Sequence, residues 1–215
     1  TQGYSSAASD VYKRQGCSNN GLVFTITNHI WVCLNIISLY GNQKQKEKYL
    51  KSMISGNTIG AFALTEADAG SDAMSLCSYA ERIDGGFLLN GNKMFISNGP
   101  IADIYLVIAL TNKEPKEYTA FIVEKNLGGV KPGKEISKMG LDSCPISEVV
   151  FDNCFIPTEN VLGKVGTGAF LMNEVITWER CYEFAPHVGA MHRILDLCCL
   201  LYTSPSPRDG ATSRM

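Results

Sequence analysis

No Cys-x-x-Cys pair occurs among the eight cysteines of this 215-residue chain, so the spacing that zinc sites and thiol–disulfide motifs require is missing. Cys17, Cys33, Cys77, Cys144, Cys154 and Cys181 stand alone and Cys198 and Cys199 are adjacent; this scatter points to a reducing compartment rather than a disulfide scaffold. Excess positive charge is also missing. Nineteen Lys plus Arg against 21 Asp plus Glu give a net charge of −2, which leaves no field suited to nucleic acid or an anionic membrane. His29, His187 and His192 have no partner at metal spacing, and no metal site is expected. Internal repeats and coiled-coil heptads are absent, and Gly166-x-Gly168 lies in no βαβ pattern, which removes a Rossmann fingerprint. What is present is 45% hydrophobic and 19% charged content, enough to bury a core and too apolar for a disordered chain.

The two ends carry a different texture. Asp10 to Gln15, DVYKRQ, back-translates as GAT GTG TAT AAG AGA CAG, and the run from Cys199 to Asp209, CLLYTSPSPRD, matches the opposite strand of the same kind of transposase sequencing adapter. Residues 1–15 and 199–215 are therefore expected to be adapter-derived and non-native, and they are set aside from the fold reading. The protein segment is expected to be residues 16–198, an internal piece of a longer chain.

Residues 21–40, GLVFTITNHIWVCLNIISLY, hold no charge and are long enough to cross a bilayer. Thr25, Thr27, Asn28, His29, Asn35 and Ser38 would each need a polar partner in lipid, so the run reads as a buried helix of a soluble domain. Residues 43–55 alternate lysines with Tyr49, Leu50 and Met53 as an amphipathic surface helix, closed by Gly56-Asn57. From Thr58 short β-rich runs follow, punctuated by Asp84-Gly85-Gly86, Asn90-Gly91, Asn98-Gly99 and Gly128-Gly129 as turns. Their spacing predicts an antiparallel barrel or sandwich. Helical spacing returns over residues 170–197, where Pro186 should kink or break the helix. The order is helices, sheet, helices: an α+β chain.

Three stretches could carry chemistry. Phe62 to Asp72, FALTEADAGSD, runs a strand into small residues and Gly70-Ser71, which lets backbone N–H groups approach a flat polar ring or a phosphate; the same residues also read as an ordinary turn capped by Asp68 or Ser71. In Lys93 to Gly99, KMFISNG, alternation puts Phe95 and Ser97 on one strand face and Ile96 on the other, so an aromatic plane and a hydroxyl sit together. Ile176 to Arg180, ITWER, offers Glu179 as a carboxylate base or as a solvated helix residue.

Together, ALTEADAGSD, LNGNKMFISNGPIAD, TAFIVEKNLGGVKPGKEISKMGL, SEVVFDNCFIPTENVLG and WER recur in an order and spacing that resembles the acyl-CoA dehydrogenase family. The resemblance implies that residues 16–57 end an N-terminal helical domain, residues 58–164 form an antiparallel β-barrel middle domain, and residues 165–198 open a C-terminal helical bundle. It implies FAD as cofactor, with Phe62, Leu64 and Thr65 at the pyrimidine edge of the flavin and Gly70 and Ser71 near the pyrophosphate and the thioester. Phe95 and Ser97 stand where the family more often has Trp and Thr, stacking on the isoalloxazine and bonding its hydride-accepting nitrogen, with Ile96 between them. Glu179 matches one of two places from which the family draws its base, the other being a later segment. Ser71, Thr177 and Arg180 are implied to touch the substrate.

The resemblance further implies an acyl-CoA substrate, or an acyl-carrier-protein thioester. An electron-transfer flavoprotein or similar acceptor, a homo-oligomer in the full-length parent, and the cytoplasm or mitochondrial matrix are implied by the same likeness. The piece itself is expected to be inactive and to leave an apolar face of its last helix exposed.

Overall fold

Asn19 opens the first helix by accepting a hydrogen bond from the Leu22 amide at 3.0 Å. The computed structural model describes residues 19–203, and within it α1 runs from Asn20 to Tyr40, with π-type hydrogen bonding over Asn28–Leu34. Its apolar length is explained by packing: Val32, Cys33, Ile36 and Ile37 are buried in the main core. Gly41 ends it in an extended conformation. α2, Gln43–Ile54, starts with a reciprocal capping box between Asn42 and Gln45. The buried Gln45 amide then donates to the carbonyls of Glu159 and Val161, each at 2.8 Å, which seats the helix on the far end of the sheet domain.

Eight strands come next: β1 Gly60–Ala63, β2 Tyr79–Ile83, β3 Gly86–Ser97, β4 Ile104–Lys113, β5 Lys116–Glu124, β6 Val130–Pro132, β7 Ile146–Pro157 and β8 Val161–Leu162. They form one sheet in the order β6-β7-β3-β2-β4-β5-β8, with β1 paired to β4 beside the β2 contact. The α+β class holds, and the expectation of an antiparallel barrel is corrected in two ways. β1 and the start of β2 run parallel to β4, and the strand path ends at β6 and β8 without closing. The sheet nevertheless curls over its own interior, because Phe87 of β3 meets Phe121 of β5 edge-on, with centroids 5.1 Å apart, although those strands are not neighbours.

β4 shows why both faces are dry. Ile104, Leu106, Ile108 and Leu110 face the helices, whereas Tyr105, Val107 and Ala109 face the curled interior, the period-2 pattern of a strand buried on each side. Asp84-Gly85 makes the expected hairpin turn between β2 and β3, with Gly85 at φ +77°. Asn90-Gly91 does not turn. The chain continues as one long β3 with a register shift there, and a Cβ at Gly91 would lie 2.1 Å from the Ser78 hydroxyl, so glycine is required by close packing.

Two helices finish the described chain: α3, Gly168–Tyr182, and α4, Phe184–Thr203. The break falls at Glu183, which places Pro186 in the first turn of α4, where its missing N–H costs nothing. α4 buries only Gly189 and Ala190, and it exposes Phe184, Met191, Ile194, Leu195, Leu200 and Leu201. The helix crosses the 198/199 boundary expected from the adapter reading. The other residues of that reading, 1–15 and 204–215, lie outside the described residues.

Candidate active site

At Ala63 the chain leaves β1, and the next two residues are held by β3 rather than by a ladder. The Met94 amide donates to the Thr65 carbonyl at 2.8 Å, and the Lys93 ammonium donates to the Leu64 carbonyl at 2.9 Å. Directly beyond, Lys93 and Ile96 pair with Val149 and Ser147, so Met94 and Phe95 together oppose one residue of β7. This is a β-bulge, and Phe95 sits in it at φ +57°, a left-handed conformation that is uncommon for an aromatic residue. The bulge turns Phe95 outward, 59% exposed, while Ile96 stays buried and Ser97 is half-buried. An exposed ring and a hydroxyl thus lie beside the exit of β1, and the two predicted stretches meet through one backbone hydrogen bond and the Lys93 side chain.

Past Thr65 the chain makes a tight turn in which the Glu66 and Ala69 backbones bond each other. Gly70 and Ser71 are exposed beyond it, and a Cβ at Gly70 would meet nothing within 4 Å. Local capping falls to Asp72, whose carboxylate accepts from the Met74 amide at 3.2 Å and from the Ser75 hydroxyl, rather than to Asp68 or Ser71 as the ordinary-turn reading has it. Phe62 and Leu64, partly buried, lie against the same core cluster as Ile176 and Trp178 of α3. Strand exit and helix therefore share one apolar wall.

α3 is held to α1 by rings. Trp31, in the π-helical stretch, stacks on Tyr182 with centroids 4.0 Å apart, and Tyr182 stacks on Trp178 at 5.2 Å. The Tyr40 hydroxyl donates to the Glu174 carboxylate at 2.6 Å. Glu179, next to Trp178, is half-buried. Burial pushes its carboxyl above the usual range, opposed by the neighbouring Arg180. Its charge also adds to the upward push that burial gives the Cys33 thiol of α1. Thr177 and Arg180 are exposed; the Thr177 hydroxyl donates to the Asn173 carbonyl of its own helix at 2.8 Å.

A polar pair missed by the sequence reading lies beneath this surface. Lys93 has no exposed surface, and its Nζ sits 2.7 Å from Oε1 of Glu66, itself buried. A charged residue amid the apolar run KMFIS was the available signal. A buried histidine is likewise more than a helix residue: His29 accepts from the Gly60 amide at Nδ1 and donates from Nε2 to the Met53 carbonyl, each at 3.0 Å. That tautomer ties α1 to the end of α2 and the start of β1.

Two clefts, about 490 and 440 Å³, are lined by residues that include His29, Ile30 and Met53, and Lys48, Tyr49 and Glu124, and contain none of the candidate residues. The candidate surface is an open face. Its exposed ring, adjacent hydroxyls and uncrowded Gly70-Ser71 turn fit a planar ring carrying a phosphate tail, the shape of FAD.

The family described as acyl-CoA dehydrogenase, middle domain, matches residues 61–154. The chain is 42% identical over 168 residues to a mitochondrial 2-methylacyl-CoA dehydrogenase of Solanum tuberosum, covering 77% of this chain and 41% of that protein. Among solved structures it resembles the prolyl acyl carrier protein oxidase AnaB, with 36% identity and a TM-score of 0.87 over 90% of this chain and 52% of that one. An FAD complex of PigA gives 35% identity and a TM-score of 0.86 over 90% and 51%. The chain thus spans about half the length of the proteins it matches.

Proposed function

The chain belongs to the acyl-CoA dehydrogenase family, and on that premise we propose that it forms part of an enzyme for FAD-dependent α,β-dehydrogenation of an acyl-CoA thioester. The observation that carries this reading is the bulge, which aims the exposed Phe95 ring outward beside Ser97 and ties it to Thr65. Phe62, Leu64, Thr65, Phe95 and Ser97 would hold the flavin ring, with Ile96, its side chain buried in the curled interior, offering only backbone, and Gly70 and Ser71 would hold its pyrophosphate side. When bound, FAD supplies the acceptor for the hydride leaving the β-carbon.

The chain's own residues do the rest. Glu179 takes the proton α to the thioester carbonyl. The burial that raises its carboxyl makes it a stronger base than a solvated glutamate. Ser71, Thr177 and Arg180, all exposed, are free to meet the thioester and its carrier. On this reading an electron-transfer flavoprotein or a similar acceptor would take up the electrons, and the full-length protein would be a homo-oligomer of the cytoplasm or the mitochondrial matrix.

The second reading, a thioester held on a carrier protein, is favoured by one observation: the likeness to the carrier-protein oxidase extends over 90% of this chain. Assaying the full-length protein on paired acyl-CoA and acyl-carrier-protein substrates separates the two, because oxidation of the carrier-bound form alone would overturn the first. Glu179→Gln is expected to abolish turnover in that protein while leaving flavin bound. A variant that keeps its rate would move the base elsewhere. The 215-residue chain alone is expected to be inactive, since α4 lacks cover for its apolar face, and bleaching of a redox dye by this chain with an acyl-CoA would contradict that.

A further inference from the structure

The segment that would face the flavin has almost no ladder of its own, and its position is set from below by one side chain. All three protons of the Lys93 ammonium are used: it donates to the Leu64 carbonyl at 2.9 Å, to the Ile108 carbonyl at 2.8 Å and to Glu66 at 2.7 Å. Glu66 in turn accepts from the Cys77 amide at 2.6 Å and the Ser78 amide at 3.0 Å. Four segments, 64–66, 77–78, 93–94 and 108, therefore converge on one buried pair. The next amide after Lys93, that of Met94, holds Thr65, and the next side chain is Phe95.

Stability alone does not explain this arrangement. Burying an ion pair costs desolvation that its attraction often fails to repay, and apolar residues of equal volume commonly serve a core as well. Only a compact ammonium donates to three oxygens on separate segments at once; the flat fork of arginine does not converge in that way. Glu66 stays ionised, since burial, which raises its carboxyl, is outweighed by Lys93 with the Ser78 and Cys77 donors.

We propose that Lys93 and Glu66 are positioning residues: their buried pair sets the register between the β1 exit at Leu64-Thr65 and the bulge at Met94-Phe95, so that Thr65, Phe95 and Ser97 face one ligand. The ligand's identity rests on the flavin reading above; the register claim does not.

The test is the double variant Lys93→Met with Glu66→Gln in the full 215-residue chain. It removes both buried charges and still leaves an oxygen for the Cys77 and Ser78 amides, so the core is expected to fold. Amide hydrogen exchange at Met94 should speed at least tenfold, while amides of the β4–β5 pair and of Cys77 and Ser78 keep their protection. FAD affinity, followed by quenching of flavin fluorescence, should weaken at least tenfold. Unchanged exchange at Met94, or equal acceleration at every amide, would overturn the positioning role. So would a loosened Met94 with FAD affinity intact. If the unaltered chain binds no FAD, the flavin reading falls, while the exchange ratios still judge the register.

Discussion

The β1 exit and β3 bulge that carry Thr65, Phe95 and Ser97 and the helix that carries Glu179 are held in place by opposite means. The first is bonded through backbone amides and a fully buried ammonium to strands buried on both faces. The second rests on stacked rings against α1 and continues into α4, whose apolar side is open to solvent. The contrast fits what the proposed function asks of each part. A surface that must stay complementary to a flat ring gains from rigid, directional anchors. A carboxylate proposed as a base is suited by burial that raises it above a solvated glutamate.

The largest effect separating the two regions is expected in the sheet interior. Phe121→Ala removes a ring with no exposed surface that meets Phe87 edge-on, and it should cost about 3–5 kcal/mol in a denaturant melt. If the loss is under about 1 kcal/mol, the curled interior is not the rigid half of the molecule. Trp31→Ala comes next: losing the stack on Tyr182 and Trp178 should cost about 0.5–1.5 kcal/mol beyond the lost burial. It should also speed proteolysis within α4 while leaving cleavage of the strands unchanged. Equal acceleration in both regions would show that α1 braces the sheet as much as the helix.

A smaller, pH-dependent effect comes from His29. Burial holds its imidazole below the ordinary value of 6.5, partly offset by the bond to Met53, so the unfolded chain takes up a proton that the folded one resists. Stability from this group is complete above about pH 6.5 and is lost as pH falls through the folded value. Glu66 and Glu124, whose carboxyls are lowered from 4.5, act in the same direction in a more acidic window. Glu179, raised from 4.5, acts in the opposite direction. Chemical denaturation of the wild type and His29→Gln between pH 7 and 5 isolates the histidine: the wild-type slope should flatten in the variant. An unchanged slope would remove His29 from the account. The smallest effect is expected on α4, where Leu200→Ser, at 64% exposure, should change stability by no more than about 0.5 kcal/mol. A larger loss would mean that this face is already covered.

Much of this fold is legible in the sequence because the signals are local. An uncharged twenty-residue run becomes a packed helix, the lysine-rich run after it becomes α2, and Asp84-Gly85 forms a hairpin. The misread elements depend on distant partners. Asn90-Gly91 looks like a turn, but Ser78 arrives beside Gly91 and the strand continues. β2 escaped notice because YAERI buries a single residue, Ala80. The parallel pairing of β1 with β4 joins residues some forty apart, and no periodicity announces it.

The candidate site divides in the same way. Phe95 and Ser97 on one face and Ile96 on the other were readable from alternation, and the bulge kept that relation. The burial of Lys93 was the part its charge in the run KMFIS did not announce, since a lysine in a strand ordinarily marks the solvent side, and only the oxygens of Leu64, Glu66 and Ile108 give it a reason to be buried. The π-helical turn that presents Trp31 to Tyr182 also lacks a local signature.

The most direct measurement is an amide-shift titration of the isotope-labelled chain with FAD, which reports weak binding residue by residue. The account predicts saturable shifts at Thr65, Met94, Phe95 and Ser97, weakened by Phe95→Ala. Saturable shifts confined to another surface, such as the cleft at Lys48, Tyr49 and Glu124, or no shifts at any FAD concentration, would contradict it.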